Sequence, residues 1–251
     1  MSRRRLNWFR FAAPRRFHAL AGRLVPWFAW LAAICAVAGL AIGFLYAPTD
    51  FQQGDVYRII FLHVPAAWMS MIIYLAMAFW AAVGLVFNVR TAAVLARSLA
   101  PTGALMTFLA LWTGALWGKP TWGTWWVWDA RLTSELLLLF LYAGFLALHG
   151  AIDDPRRADR AAALLALVGV INVPVIYFSV VWWNTLHQGA SVSLVRAPSM
   201  AMTMLAGMLI MTLAFWFYSI AVVLVRARQR VLARERHAAW TQNAGAQYEL
   251  V

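Results

Sequence analysis

The chain has 251 residues, of which 64% are hydrophobic and 12% charged, and it carries a net charge of +12. A soluble domain has about twice that charged share, and a lipid-facing barrel has short alternating strands instead of long apolar blocks, so both are excluded. The basic excess sits in short runs beside the apolar blocks, where residues that orient membrane spans belong, and this argues against a nucleic-acid partner.

In chain order, a basic arm over 1–25 precedes apolar blocks at 26–47, 59–87, 93–117, 132–150, 161–182 and 199–225, and a charged tail follows over 226–251. Each block approaches or exceeds the roughly 20 residues that a helix needs to cross the hydrocarbon. The first block, from Trp27 to Ala47, is too long for a cleavable signal core and reads as an uncleaved span. The second is longer than one crossing requires, which predicts tilt or an interfacial start near Arg58. The expected fold is therefore all-α, an integral membrane protein of six transmembrane helices. It forms a single membrane domain over 1–251, with a six-span core at 26–225 and a tryptophan-rich loop at 118–131.

The arm, the segment with Arg90 and Arg97, the loop "DDPRRADR" and the tail hold 17 of the 21 basic residues. That set belongs in the cytoplasm, so both termini are expected there. The loops 48–58, 118–131 and 183–198 then face outward, which in a bacterium with two membranes is the periplasmic side of the inner membrane.

This topology sorts the histidines. His18, His149 and His237 fall on the cytoplasmic side among Arg and Asp residues and read as solvated. His63, about a turn inside the second span, and His187, just beyond the fifth, fall on the outer side with the tryptophan-rich loop. Trp117, Trp122, Trp125, Trp126 and Trp128 exceed what headgroup anchoring asks for, although interfacial tryptophans are common. Asp129 suits a helix N-cap, and Glu135 stands four positions after Arg131, within reach of an ion pair. A flat ligand fits this set: indoles pack against an apolar plate, Arg58, Arg131 or Arg196 can meet carboxylates, and an iron accepts two imidazoles. Heme or a similar planar molecule is the expectation.

The stretch "WGTWWVWDARLTSE" resembles the WWD signature of membrane heme-handling proteins, and "HVPAAW", "VWWNTLHQGASV" and the six-span layout resemble one branch, the heme exporter protein C (CcmC) family of cytochrome c maturation. The resemblance runs from about Trp27 to Val225. It implies a protein that binds b-type heme non-covalently at the periplasmic face and delivers it to the heme chaperone CcmE, where a chaperone histidine joins a vinyl group. It also implies that His63 and His187 are the axial ligands, and that Trp122, Gly123, Trp125, Trp126, Trp128 and Asp129 form the heme platform and chaperone dock. Residues Arg58 and Arg131 are implied in holding or releasing heme. The small subunit CcmD and the ABC-type complex of CcmA and CcmB are implied partners. The chain has no Gly-x-x-x-x-Gly-Lys-Ser/Thr loop and is not itself the ATPase. With no acid–base pair in the loop, positioning rather than catalysis is the expected mode.

Three other readings remain. Asn172 and Pro174 in "INVPVIYF" could mark a broken helix lining a heme path through the bundle, or a joint and a kink. Met200, Met204, Met208 and Met211 could bind Cu(I), or fill apolar gaps. A purely structural subunit would bind neither.

Overall fold

Helix α1 (Pro14–Ala41) opens with a proline in its first turn, where the missing N–H costs no helical bond, and ends in a wider π-turn over Ile42–Tyr46. The computed structural model describes residues 13–189, 192 and 197–241. A short 3-10 turn (Asp55–Ile59), which holds Arg58, leads into α2 (Ile60–Phe87). Asn88 takes a left-handed conformation (φ 53°) that reverses the chain into α3 (Arg90–Trp122). The remaining helices are α4 (Ala130–Ala151), α5 (Pro155–Gly169), α6 (Asn172–Trp182) and α7 (Met202–Arg234). No strand forms among the described residues.

Among the described residues six stretches are long and apolar enough to cross a membrane, with α5 and α6 together forming the fifth. They extend past the blocks read from hydropathy because charged turns continue the helices beyond the hydrocarbon: α1 begins at Pro14 and α7 runs to Arg234.

The fifth span is two helices for a local reason. Pro174 has no N–H to give the Val170 carbonyl. Val170, Ile171 and Val173 accordingly make i→i−3 bonds to Leu167, Val168 and Val170, a tightened turn between α5 and α6. The Asn172 side chain donates to the Ser134 carbonyl at 2.9 Å and ties α6 to α4.

Helix α2 packs on α3, α5 and α7, while α1 lies mainly on α7. The main core joins Met69, Tyr74 and Met77 of α2, Met106 of α3, Leu138 and Tyr142 of α4, and Ile176 of α6. The methionines of the last span are packing residues: Met204, Met208 and Met211 are buried with Tyr57 and Phe61, and Met200 packs against them. Lipid-facing apolar side chains such as Trp27 and Val37, both 71% exposed, mark α1 as the outermost element. His18 and Trp240 meet with ring centroids 5.9 Å apart, so both ends of the described chain lie at the same end of the bundle.

Candidate functional site

At the other end, His63 sits one turn into α2, half-buried. Its Nδ1 lies 3.0 Å from Thr113 Oγ1 on α3. The Thr113 hydroxyl donates to the Leu109 carbonyl, so its oxygen is the acceptor and the imidazole carries its proton on Nδ1. A side chain on Gly114 would place a carbon 3.1 Å from His63 Cε1, so glycine is what lets α3 approach the ring.

His187 comes from the segment after α6. Its Nδ1 is 2.8 Å from the Gln188 carbonyl, which can only accept, and this fixes the same tautomer. Its backbone N–H donates to Thr185 Oγ1 at 3.1 Å, and the Thr185 hydroxyl donates to Asp129 Oδ2. Burial lowers the His187 pKa below the ordinary histidine value, and the Arg131 charge lowers it further. Both rings therefore present Nε2 lone pairs, the form that ligates a metal, while Nδ1–H is held by an outer partner.

The two ring centroids are 6.1 Å apart with planes inclined by 34°. Two imidazoles sharing one metal through bonds of about 2.0–2.1 Å put their centroids about 6 Å apart, so the donor set and spacing fit a metal held between them. No cluster of three or more His, Cys, Asp or Glu competes for a metal among the described residues.

Gly123 caps α3 in the left-handed region (φ 79°), its N–H bonded to the Lys119 carbonyl, and this turns the tryptophan-rich loop back over the bundle end. Trp117 and Trp122 contact each other at 5.0 Å and flank His187 at 6.2 and 6.3 Å. Trp126 and Trp128 form a second edge-to-face pair at 5.4 Å, and Trp126 Nε1 is buried without an acceptor among the described residues. Trp125 and Trp128 are 53% and 77% exposed, so these two point outward instead of against the histidines. A cavity of about 420 Å³ opens between Gln52, Gln53, Trp117, Trp122, Leu186 and Gln188, beside the histidine pair.

Asp129 caps α4, accepting from the Leu132 N–H at 2.8 Å, and its other oxygen takes the Thr185 hydroxyl. Arg131 reaches the Ile176 carbonyl of α6 at 2.6 Å and lies within electrostatic reach of His187. The ion pair expected between Arg131 and Glu135 does not form. Glu135 is buried and accepts from Ser70 Oγ at 2.8 Å, because α4 turns its Glu135 face to α2 and Arg131 toward α6. Arg58 is not brought to the histidine pair: its donors go to the Gly43 and Ala47 carbonyls at the end of the π-turn and to Asp55 at 2.9 Å. Arg196 lies outside the described residues.

Two histidines depart from the solvated reading. His149 is buried, with Nδ1 3.0 Å from the Phe145 carbonyl and Nε2 3.2 Å from Asp159, because α5 folds back onto α4. His18 is half-buried beside Trp240, whereas His237 is exposed as expected. Composition and motif reading missed Thr113, Thr185 and Gln53. Gln53 accepts from Trp117 Nε1 at 2.9 Å and donates to Gln188 at 3.3 Å, which joins three separate segments. A lone threonine in "LWTGALWG" gives no sequence signal of a histidine partner.

The family profile described as "Heme exporter protein C" matches residues 7–242. The chain belongs to the heme exporter protein C family. Relatives named heme exporter protein C share 48% identity over 229 residues in Escherichia coli (strain K12), covering 91% of this chain and 92% of that protein. In Haemophilus influenzae the identity is 44% over 232 residues, covering 92% and 94%. The Bradyrhizobium diazoefficiens relative is 48% identical over 223 residues, covering 89% and 84%. Six apolar spans and membership of the heme exporter protein C family together make this a multi-pass membrane protein.

Proposed function

We propose that this chain binds heme non-covalently between His63 and His187 and presents it to a receiving protein, the heme-delivery step of cytochrome c maturation. The observation that carries the reading is the convergence of two neutral imidazoles from α2 and the segment after α6, with centroids 6.1 Å apart and both Nδ1 atoms occupied. Bound heme supplies the iron that the imidazoles ligate and the vinyl edge that a receiving histidine joins. Thr113 and the Gln188 carbonyl hold the two rings in the ligating tautomer. Trp117 and Trp122 give an apolar wall beside His187, and Gly123, Trp126 and Asp129 shape the turn that carries it. Arg131 supplies positive charge for a propionate, and Arg58 fixes the end of the first span under the site.

The exposed Trp125 and Trp128 are the surface on which the chaperone CcmE docks, with CcmD and the CcmA/CcmB complex as further partners. Arg90, Arg97, Arg156, Arg157, Arg160 and the α7 arginines gather at the opposite end of the bundle, which supports a cytoplasmic placement of that end and a periplasmic face of the inner membrane for the site. The residues around the ligand position and orient it, so the mode is presentation without acid–base catalysis. A conduit through the bundle draws no support from Asn172, whose amide is already engaged with Ser134.

The test is an absorption spectrum of the chain purified with CcmE, compared with His63→Ala and His187→Ala. A six-coordinate, low-spin spectrum that each substitution converts or abolishes is expected. A native-like spectrum in either variant refutes the two-histidine site.

A further inference from the structure

A second cavity, of about 340 Å³, opens at the end of the bundle away from the histidine pair. It lies where α2 ends, α3 begins and α4 hands over to α5, about 36 Å along α2 from His63 at the usual helical rise. Its inner wall is apolar, built from Ala81, Leu85, Ala96 and Phe145. Three arginines, Arg90, Arg156 and Arg160, stand at its mouth.

Basic groups outnumber acidic ones at this cavity, with Asp154 beside Arg156 as a partial counter-charge. Among the described residues Asp159 is the only acidic one lining the cavity, and it is already held by His149 at 3.2 Å and Arg234 at 2.8 Å. Arg90 lies 3.5 Å from Glu235, but its side chain is 73% exposed, a geometry worth little. Arg156 and Arg160 make no ion pair among the described residues.

We infer that this cavity binds the phosphate headgroup of an anionic phospholipid, with Arg90, Arg156 and Arg160 on the phosphate and an acyl chain along the apolar wall. A phosphate matches the guanidinium donors. The lipid is favoured over a free anion because the inner wall is apolar and can take an acyl chain. Basic pockets between spans hold headgroups in this way.

The test is native mass spectrometry of the full chain released from nanodiscs of phosphatidylcholine with one-quarter phosphatidylglycerol. The native chain is expected to keep phosphatidylglycerol over phosphatidylcholine beyond its share of the bilayer. Arg156→Gln with Arg160→Gln should lower that retention by about tenfold. Arg23→Gln, on the exposed side of α1 at the same end of the bundle, controls for general charge and should keep it. Should the double variant lose its helical circular dichroism, Arg90→Gln is read instead, with a smaller loss expected. Equal retention of the two lipids, or an equal loss in Arg23→Gln, overturns the proposal. Displacement of the lipid by millimolar inorganic phosphate also overturns it, by assigning the cavity to a free anion.

Discussion

Thr113 decides the state of His63, since its oxygen accepts the Nδ1 proton only while its hydroxyl is turned to Leu109. Replacing it by valine keeps the volume and removes the acceptor. Thr113→Val is expected to weaken heme binding about 10–100-fold in a titration, and Thr113→Ser to restore it. On the other ligand, Asp129 has two separable duties, the α4 cap and the Thr185 bond that shapes the backbone at His187. Asp129→Ala should cost about 1 kcal/mol of stability through the cap and also disturb the heme spectrum. Thr185→Val should alter the spectrum with the thermal midpoint nearly unchanged, and a shifted midpoint with a native spectrum would contradict this division. The tryptophan signature made Asp129 legible in the sequence, but Thr113 and Thr185 were not. A hydroxyl's partner is set by which helices meet, and local spacing holds no record of it.

Among elements, the break between α5 and α6 is the one with a sequence cause, because Pro174 removes the donor that the Val170 carbonyl needs. Asn172 then joins α6 to α4. Interhelical bonds of this kind in membranes are worth about 0.6 kcal/mol on average and reach about 1.7. Asn172→Ala is expected to lower stability by that order in mixed-micelle unfolding and to leave the heme spectrum native. Loss of heme at the site in this variant would favour a conduit instead. Arg131 and Glu135 were legible as a helical i,i+4 pair, yet each answers to a different neighbouring helix. The pair fails because packing against α2 and α6 competes with the short-range attraction.

For the molecule as a whole, close helix approach holds the outermost span in place. A side chain on Gly39 would put a carbon 2.7 Å from Met211 Cγ, and one on Gly43 would meet Phe61 at 2.6 Å, so α1 rests on α7 and the π-turn after it rests on α2 through two glycines. Gly39→Val should separate α1 from α7 and lower the thermal midpoint clearly. Gly150→Ala, where a new carbon meets nothing within 4 Å, should be neutral or slightly stabilising because alanine favours the helix by about 1 kcal/mol. Equal effects at the two positions would refute close packing as the cause.

The sequence by itself determined the number of spans, the gathering of basic residues at one end and the two histidines and tryptophans of the other. These follow from the hydrocarbon thickness, the cost of charge in lipid and residue chemistry, which act on the chain locally. Only the tertiary structure decided that His63 and His187 meet across 124 positions of chain, that Arg58 turns to the end of α1, and that His149 is buried. Those outcomes depend on which helix faces which. Between spans in lipid that choice rests on shape, small residues and single hydrogen bonds, without a hydrophobic pattern to announce it.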